Sequence, residues 1–545
     1  MWSSRWWQLQ QLWVLLPILT GPVSTGAIRS FLDPNSSDYI CDPSVGYSND
    51  TLLLCMMALT DDDLDDIDAC LDAFGREDLV HLDLFYNSFT MIPVDLFEDL
   101  TSLEFLDLSI NAITTLESGV FADLTSLKTM RLSGNQLTGI PVDLFEGLSS
   151  LLYLYLDNNR FINTLEKGVF LDLTSLQRLD LWAAGLMSLP DNVFAELSSL
   201  IDLYLFENEL STLSPGTFSG LTALERLDLS SNQLTSLLEG VFVELSSLKS
   251  LNLNSNQFET LENGGFSSLT LLTRLSLTNN NLKTLQSGTF SGLVALENLA
   301  LSSNALRMLP GDIFDGLPSL QSLWLPRNNF TTFETRTLAN LSSLEGLSFS
   351  NNALETLPED LFEGMSFLRT LEVSGNNIIS LEAEIFADLT SLNSLFLESN
   401  DLSTLPQGLF LSLPAEATIH LEGNANLQCL PTTDATVMVG SDDIKSGTCG
   451  CVPEDAVSCD EGLICQPGST GYTCVDSSPT PTEATTTAPV IIFSLAPSWT
   501  PTSAFTSTPT SAPTSSPTFS STLSPISTIS SLSPTAAPSA KRFDR

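Results

Sequence analysis

Residues 224–234 read LERLDLSSNQL, and the same frame returns in LVHLDLFYNSF (79–89), LEFLDLSINAI (103–113) and LKTMRLSGNQL (127–137). The shared pattern is L-x-x-L-x-L-x-x-N-x-L. Its starts fall at Leu79 and then every 24 residues to Leu392, apart from one 25-residue step between Leu151 and Leu176. That makes fourteen units, and ATIHLEGNAN (417–426) is a degraded fifteenth. A fixed period of this length marks a solenoid, in which each unit buries its apolar side only against its neighbours.

Within a unit, x-L-x-L-x alternates with period two. This predicts a short strand with leucines inward and the intervening residues outward, stacked in parallel on the next unit. The Asn that follows leaves the strand, where its amide can bond backbone groups of the turn and of the adjoining unit. Thirteen of the fourteen units keep it; the exception is Ala184 in LDLWAAGLMSLP (179–190). A second inward column is phenylalanine: Phe97, Phe121, Phe145, Phe170, Phe194, Phe218, Phe242, Phe266, Phe290, Phe314, Phe362, Phe386 and Phe410, with Leu338 the one substitution. These rings are read as core between the sheet and the opposite side.

The remainder of each unit, as in LTGIPVDLFEGLSSL (137–151) and LETLPEDLFEGMSFL (354–368), completes a resemblance to the leucine-rich repeat family, in its "typical" 24-residue extracellular class. The resemblance implies an α/β-type solenoid: a right-handed horseshoe with a parallel concave β-sheet, disulfide caps and a disordered C-terminal tail. The corresponding division is a signal peptide (1–26), an N-terminal cysteine-containing cap (27–78), the repeats (79–426), a C-terminal cysteine-rich cap or module (427–476) and a Ser/Thr/Pro-rich stalk (477–545).

Composition narrows the setting. The chain has 545 residues, 65 Asp and Glu against 20 Lys and Arg, and a formal net charge of −45. Such a surface repels phosphate backbones and anionic lipid, which excludes nucleic acid and favours a basic partner. A positive start followed by LWVLLPIL (12–19) and the small residues Ser24, Thr25, Gly26 and Ala27 reads as a secretory signal. The nine cysteines flank the repeats: Cys41, Cys55 and Cys70 before, Cys429, Cys449, Cys451, Cys459, Cys465 and Cys474 after. In an exported chain they are disulfide candidates, with one left over. Glycosylation sequons begin at Asn35, Asn49, Asn329 and Asn340.

At the first cap, DDDLDDIDACLDAFG (61–75) reads as an acidic capping helix or turn; it lacks the glycine and spacing of a calcium loop. From Pro479 the chain is mostly Ser, Thr, Pro and Ala, a composition that builds no core and suits a glycosylated stalk. VIIFSLAP (490–497) is too short to cross a membrane.

Catalysis finds no support. His81 and His420, the only histidines, lie at opposite ends of the repeats, and no nucleophile, phosphate-loop or metal motif is present. The expectation is no enzyme, no cofactor and no metal. Binding is better supported, because outward strand residues form columns over a continuous sheet. Units seven to ten present small polar residues there. Units four to six instead bring Tyr153, Tyr155, Trp182, Tyr204 and Phe206 among Asp157, Arg178, Asp180 and Asp202. Rigid aromatics beside a few charges are what an interface hot spot is made of. Trp324 with Arg327 is a weaker second patch.

The missing Asn at Ala184 and the one 25-residue step, caused by an extra residue in RFINTLEKG (160–168), both flank Trp182. Their coincidence points to an irregularity that serves the ligand. The sequence therefore leads to a secreted glycoprotein, free or associated with a wall or matrix, that binds an extracellular protein or peptide on its concave face. A structural matrix component without a specific ligand is the alternative. An inhibitor of a secreted hydrolase is the third.

Overall fold

The computed structural model describes residues 50–406, 408–427 and 435–439, and the backbone of 463–468, 471–476 and 491–493. The signal peptide, Asn35, Asn49, Cys41, Cys429, Cys449, Cys451, Cys459 and nearly all of the Ser/Thr/Pro-rich segment lie outside the described residues. Among the described residues no helix is long and apolar enough to cross a membrane.

The repeats form a parallel sheet of three-residue strands, one per unit. Strand β1 (Thr51–Leu53) pairs with β2 (His81–Asp83), and the ladder continues without a break to β16 (Thr418–His420). Register is locked leucine to leucine, as in Leu154↔Leu179 and Leu179↔Leu203. Each strand's central residue is buried and its flanking residues face out, as the alternation requires. The strands are short because each unit contributes only x-L-x before its turn begins.

Behind the sheet the phenylalanine column is continuous core. Phe145, Phe170, Phe194, Phe218, Phe242 and Phe266 stack ring on ring at centroid spacings of 6.1–6.4 Å. Removing one such ring costs roughly 3–5 kcal/mol. At Leu338 the column is made good by neighbours: Phe333 and Phe349 meet at 5.3 Å, and Phe349 stacks on Phe362 at 6.2 Å. Both stand where other units carry an aliphatic residue, so volume lost at one position is restored at two others.

The asparagines form a second ladder. Asn232 donates from Nδ2 to the carbonyls of Leu205 and Leu229, both at 3.0 Å, and its Oδ1 accepts the Leu210 N–H at 3.0 Å. The same set recurs from Asn87 to Asn424. Each amide thus satisfies buried backbone groups of its own turn and of the preceding one.

At the N-terminal end the acidic segment is helical, as expected. Helix α1 (Leu64–Phe74) turns Leu64, Ile67, Cys70, Leu71 and Phe74 into the same core, and its acidic residues lie mostly outside. Asp63 precedes it, with a carboxylate that accepts from the Thr60 N–H at 2.8 Å. Arg76 closes the far end, held by Asp68 and by Asp72 at 2.6 Å. Cys70 is disulfide-bonded, whereas Cys55 is free. Cys55 is thus removed from the disulfide candidates.

Beyond the repeats, β17 (Thr436–Val439) continues the sheet from β16. β18 (Leu463–Gly468) and β19 (Gly471–Asp476) form an antiparallel hairpin that sets Cys465 opposite Cys474 in register. β20 (Ile491–Phe493) pairs with β17. This last strand falls inside the segment expected to be structureless. Its three consecutive apolar residues are enough to add one more edge strand.

Candidate ligand-binding face

The open side of the sheet is lined by the residues that flank each inward leucine, so side chains from successive units stand about one strand spacing apart, ~4.8 Å. On β5 (Tyr153–Tyr155), β6 (Arg178–Asp180) and β7 (Asp202–Tyr204) these are large. They interlock. The Arg178 guanidinium lies over two rings, 5.5 Å from the Tyr155 centroid and 4.5 Å from that of Tyr204. Arg131 continues the series, 5.4 Å from Tyr155 and 5.3 Å from Phe105. Ring and guanidinium therefore alternate from Phe105 through Arg131, Tyr155 and Arg178 to Tyr204. Tyr204 meets Phe206 edge-on at 6.5 Å, and Trp182 stacks flat on Phe206 at 5.1 Å and 5°.

Carboxylates fix this arrangement from within. Asp180 is buried and receives Nε and Nη2 of Arg178, both at 2.9 Å. Asp202 is held by Arg226, with Nη2 at 2.7 Å from Oδ2. Asp107 lies 3.5 Å from Arg131. Asp157 is buried too, accepting from Ser133 at 2.6 Å and Asn158 at 3.0 Å. Burial pushes the Asp180 carboxyl up to about 6, against the pull of its paired Arg178 and with help from Asp157 and Asp202. Burial also raises Asp157, Tyr155 and Tyr204. The face is aromatic and locally charge-compensated, with its rings partly exposed.

Of the nine residues expected here, Tyr155, Arg178, Trp182, Tyr204 and Phe206 form the exposed ensemble. Asp180 and Asp202 are buried beneath it, where they orient arginines. Asp157 turns away to Ser133. Tyr153 is the most exposed, at 37%, at the outer end of β5. Sequence reading missed Phe105, Arg131 and Arg226. The signal was available in principle: Arg131 and Arg226 sit one unit from the expected cluster and Phe105 two, each at an outward position beside a residue of opposite charge or a cation.

The second expected patch does not assemble. The Trp324 ring lies towards Gly346, where a Cβ would stand 3.9 Å from its Cζ2. Arg327 occupies the turn after the strand, exposed and at φ +56°, with no ring contact among the described residues. Asn329 and Asn340 are exposed, and Asn340 Nδ2 reaches Asp315 at 2.7 Å.

The irregularity beside Trp182 has a structural cause. The extra residue lets Ile162 take the buried place while Phe161 turns outward, and the Ile162 N–H bonds the Asn159 carbonyl of its own turn at 3.2 Å. An Asn at position 184 would have accepted that N–H. Ala184 is fully buried and its own N–H is taken by Asn208 Oδ1 at 3.0 Å. Insertion and missing Asn accommodate each other within the scaffold, so the irregularity has a structural account that needs no ligand.

A family model described as leucine rich repeat matches seven overlapping stretches from residue 77 to residue 425. The chain belongs to the leucine-rich repeat family. No curated protein matches it. Among solved structures, this leucine-rich repeat protein is similar to the TLR13–ssRNA13 complex (26% identity, TM-score 0.56), over 68% of this chain and 56% of that one. A leucine-rich repeat protein of Leptospira interrogans is 28% identical, TM-score 0.55, over 70% of this chain and 93% of its own. The Toll–Spatzle complex of Drosophila shares the fold at 24% identity and TM-score 0.58, over 68% of this chain and 54% of that one. The protein thus spans about half the length of the Toll-type chains it resembles.

Proposed function

We propose that this leucine-rich repeat protein is a secreted, non-enzymatic recognition protein that binds a protein or peptide ligand on the open face of its sheet, over repeats two to six. One observation carries the reading. The alternating series from Phe105 to Tyr204, with Trp182 on Phe206, is partly exposed, interlocked and held by buried carboxylates. Pre-ordered aromatics bind at low entropic cost and dominate interface energetics. Repeats seven to ten carry no aromatic residue on the same face, which there holds small polar side chains with Arg226 and Arg274, so the contrast lies within one molecule.

The solved relatives that hold ligands support a binding role: one complex contains single-stranded RNA, the other Spatzle. RNA is disfavoured for this chain. Its net charge is −45, and Arg131, Arg178 and Arg226 on the face are each paired with an aspartate. A polypeptide whose apolar side chains cover the rings and whose basic groups meet the acidic surround is the better fit.

The test is capture from the secreted proteome on immobilised full-length protein, comparing wild type with Trp182→Ala and Trp324→Ala and checking folding by circular dichroism. The reading requires a partner lost with Trp182→Ala and kept with Trp324→Ala. A partner that both variants retain, but that is lost when residues 477–545 are removed, would move the function to the tail.

A further inference from the structure

Sixteen turns follow the strands, and in all of them the residue just before the Asn position, or its equivalent at the termini, has positive φ. From the fourth turn onward the position is filled by Gly, Asn, Ser, Ala, Glu or Arg. In the first three it is filled by Met56 (φ +58°), Tyr86 (φ +57°) and Ile110 (φ +55°). Left-handed backbone is disfavoured for large side chains, and for a β-branched residue such as Ile it is an outlier. These side chains recover only part of that cost by burial, being 38%, 57% and 39% exposed. Unfavourable backbone that still leaves this much apolar surface exposed is a poor return for folding, and points to use.

The three positions adjoin across successive turns. Their N–H groups are fixed to the following unit, Met56 to the Phe85 carbonyl, Tyr86 to Ser109 and Ile110 to Ser133, at 2.8–2.9 Å. Side chains and turns enclose a groove of about 370 Å³ lined by Met56, Ala58, Tyr86, Ser88, Ile110 and Ala112. Its lining is mostly apolar, with Asn87, Ser88 and Asn111 the polar residues. The row stops at Gly134, where a Cβ would lie 3.3 Å from Ile110 Cγ1. Bare backbone there leaves Ile110 its room.

Charge selects the occupant. Residues 50–127 hold eighteen Asp and Glu against one Arg and no Lys. That Arg76 is engaged by Asp68, Asp72 and the carbonyls of Leu96 and Glu98. The adjoining turn is tied to the acidic cap, since Asp61 accepts the Thr90 N–H at 2.8 Å. An apolar slot in a field this negative attracts a cationic segment and repels an acidic one.

We propose that the groove formed by Met56, Tyr86 and Ile110 is a docking site for a polypeptide segment that presents an apolar side chain beside Lys or Arg. It lies at the turns that follow the strands, separate from the sheet face over repeats two to six, and stands or falls independently of it.

The experiment is selection of displayed random dodecapeptides on the full-length protein, followed by binding of the enriched peptides to variants. Tyr86→Asn and Ile110→Asn place at these turns a residue that other repeats use there. The expected peptides pair an apolar residue with Lys or Arg. They lose at least about tenfold in affinity on both variants, the loss of a hot-spot contact, and keep it on Trp182→Ala. Melting temperature is expected to hold or rise in both variants, because Asn accepts positive φ. A fall in melting temperature would make the side chains structural and overturn the proposal. So would enrichment of nothing, of peptides lacking basic residues, or of peptides that ignore both substitutions. A wild-type dimer in sedimentation that Tyr86→Asn dissociates would also overturn it, by making a second copy the occupant.

Discussion

The carbonyl oxygen of Arg160 lies 2.3 Å from the point where a Cβ on Gly185 would stand, and Gly185 itself has φ +79°. The lengthened turn of the fourth repeat therefore rests on the bare backbone of the fifth. Gly185→Ala forces the two apart and strains the turn, at an expected cost of roughly 1–3 kcal/mol. A chemical-denaturation series on wild type and variant measures it. An unchanged midpoint would mean that the contact relaxes freely.

Insertion and missing asparagine are two halves of one adjustment, and they should couple. Ala184→Asn alone brings an amide whose natural donor, the Ile162 N–H, is already bound to Asn159. Deleting Arg160 alone restores the 24-residue step but leaves no amide at 184 to receive that N–H. Each single change is expected to destabilise, and the double change to recover about 1 kcal/mol or more beyond additivity. Simple addition of the two losses in a double-mutant cycle would show that they are unrelated.

Arg178 is the hub of the aromatic series, and its partner Asp180 is only 5% exposed at the side chain. Arg178→Met strips a buried carboxylate of its counterion. Full burial would make this cost roughly 3–5 kcal/mol. Arg178 is a third exposed, so about 2 kcal/mol is expected at neutral pH after solvent screening. The penalty should shrink in acid. Without the guanidinium the Asp180 carboxyl rises above its present value of about 6 and takes up a proton. Thermal melts of both proteins at pH 5 and pH 8 read the difference, and equal penalties at the two values would contradict it.

Glu398 gives a second pH dependence at the other end of the sheet. Burial chiefly, then Glu422 and Glu372, push its carboxyl from an ordinary 4.5 up to about 7, while its backbone bond and Ser374 oppose them. A carboxyl raised in the folded state favours folding while both states are protonated, below about 4.5. That contribution is lost as pH rises through about 7. Melting temperature should therefore decline between pH 5 and pH 8, and Glu398→Gln should flatten that part of the profile and raise the value at pH 8. The lower part, between about 4 and 6, belongs to Asp180 and should survive the substitution. An identical profile in the variant would place the titration elsewhere.

The sheet, its register and the phenylalanine core were readable from the sequence because each follows from a column of one residue type at one spacing. So was the aromatic concentration on β5 to β7. What escaped reading were relations between columns. That Asp180 and Asp202 lie beneath the rings instead of among them depends on which rotamer satisfies Arg178 and Arg226. That Phe333 and Phe349 repair the gap at Leu338 depends on packing across two other positions. The missing Asn at Ala184 looked functional beside Trp182, because nothing linear reveals that the Ile162 N–H has found a partner in its own turn. The left-handed turn of Met56, Tyr86 and Ile110 was hidden because the amino-acid types there argue against it.

The central claim is that the rings over repeats two to six hold a protein ligand. The most direct measurement is the dissociation constant of the captured partner for full-length wild type and Trp182→Ala, titrated side by side at one salt concentration. Loss of the Trp182 contact on Phe206 is expected to weaken binding at least about tenfold, the loss of a hot-spot aromatic, with the melting temperature shifted little. An affinity that Trp182→Ala leaves unchanged would contradict the account.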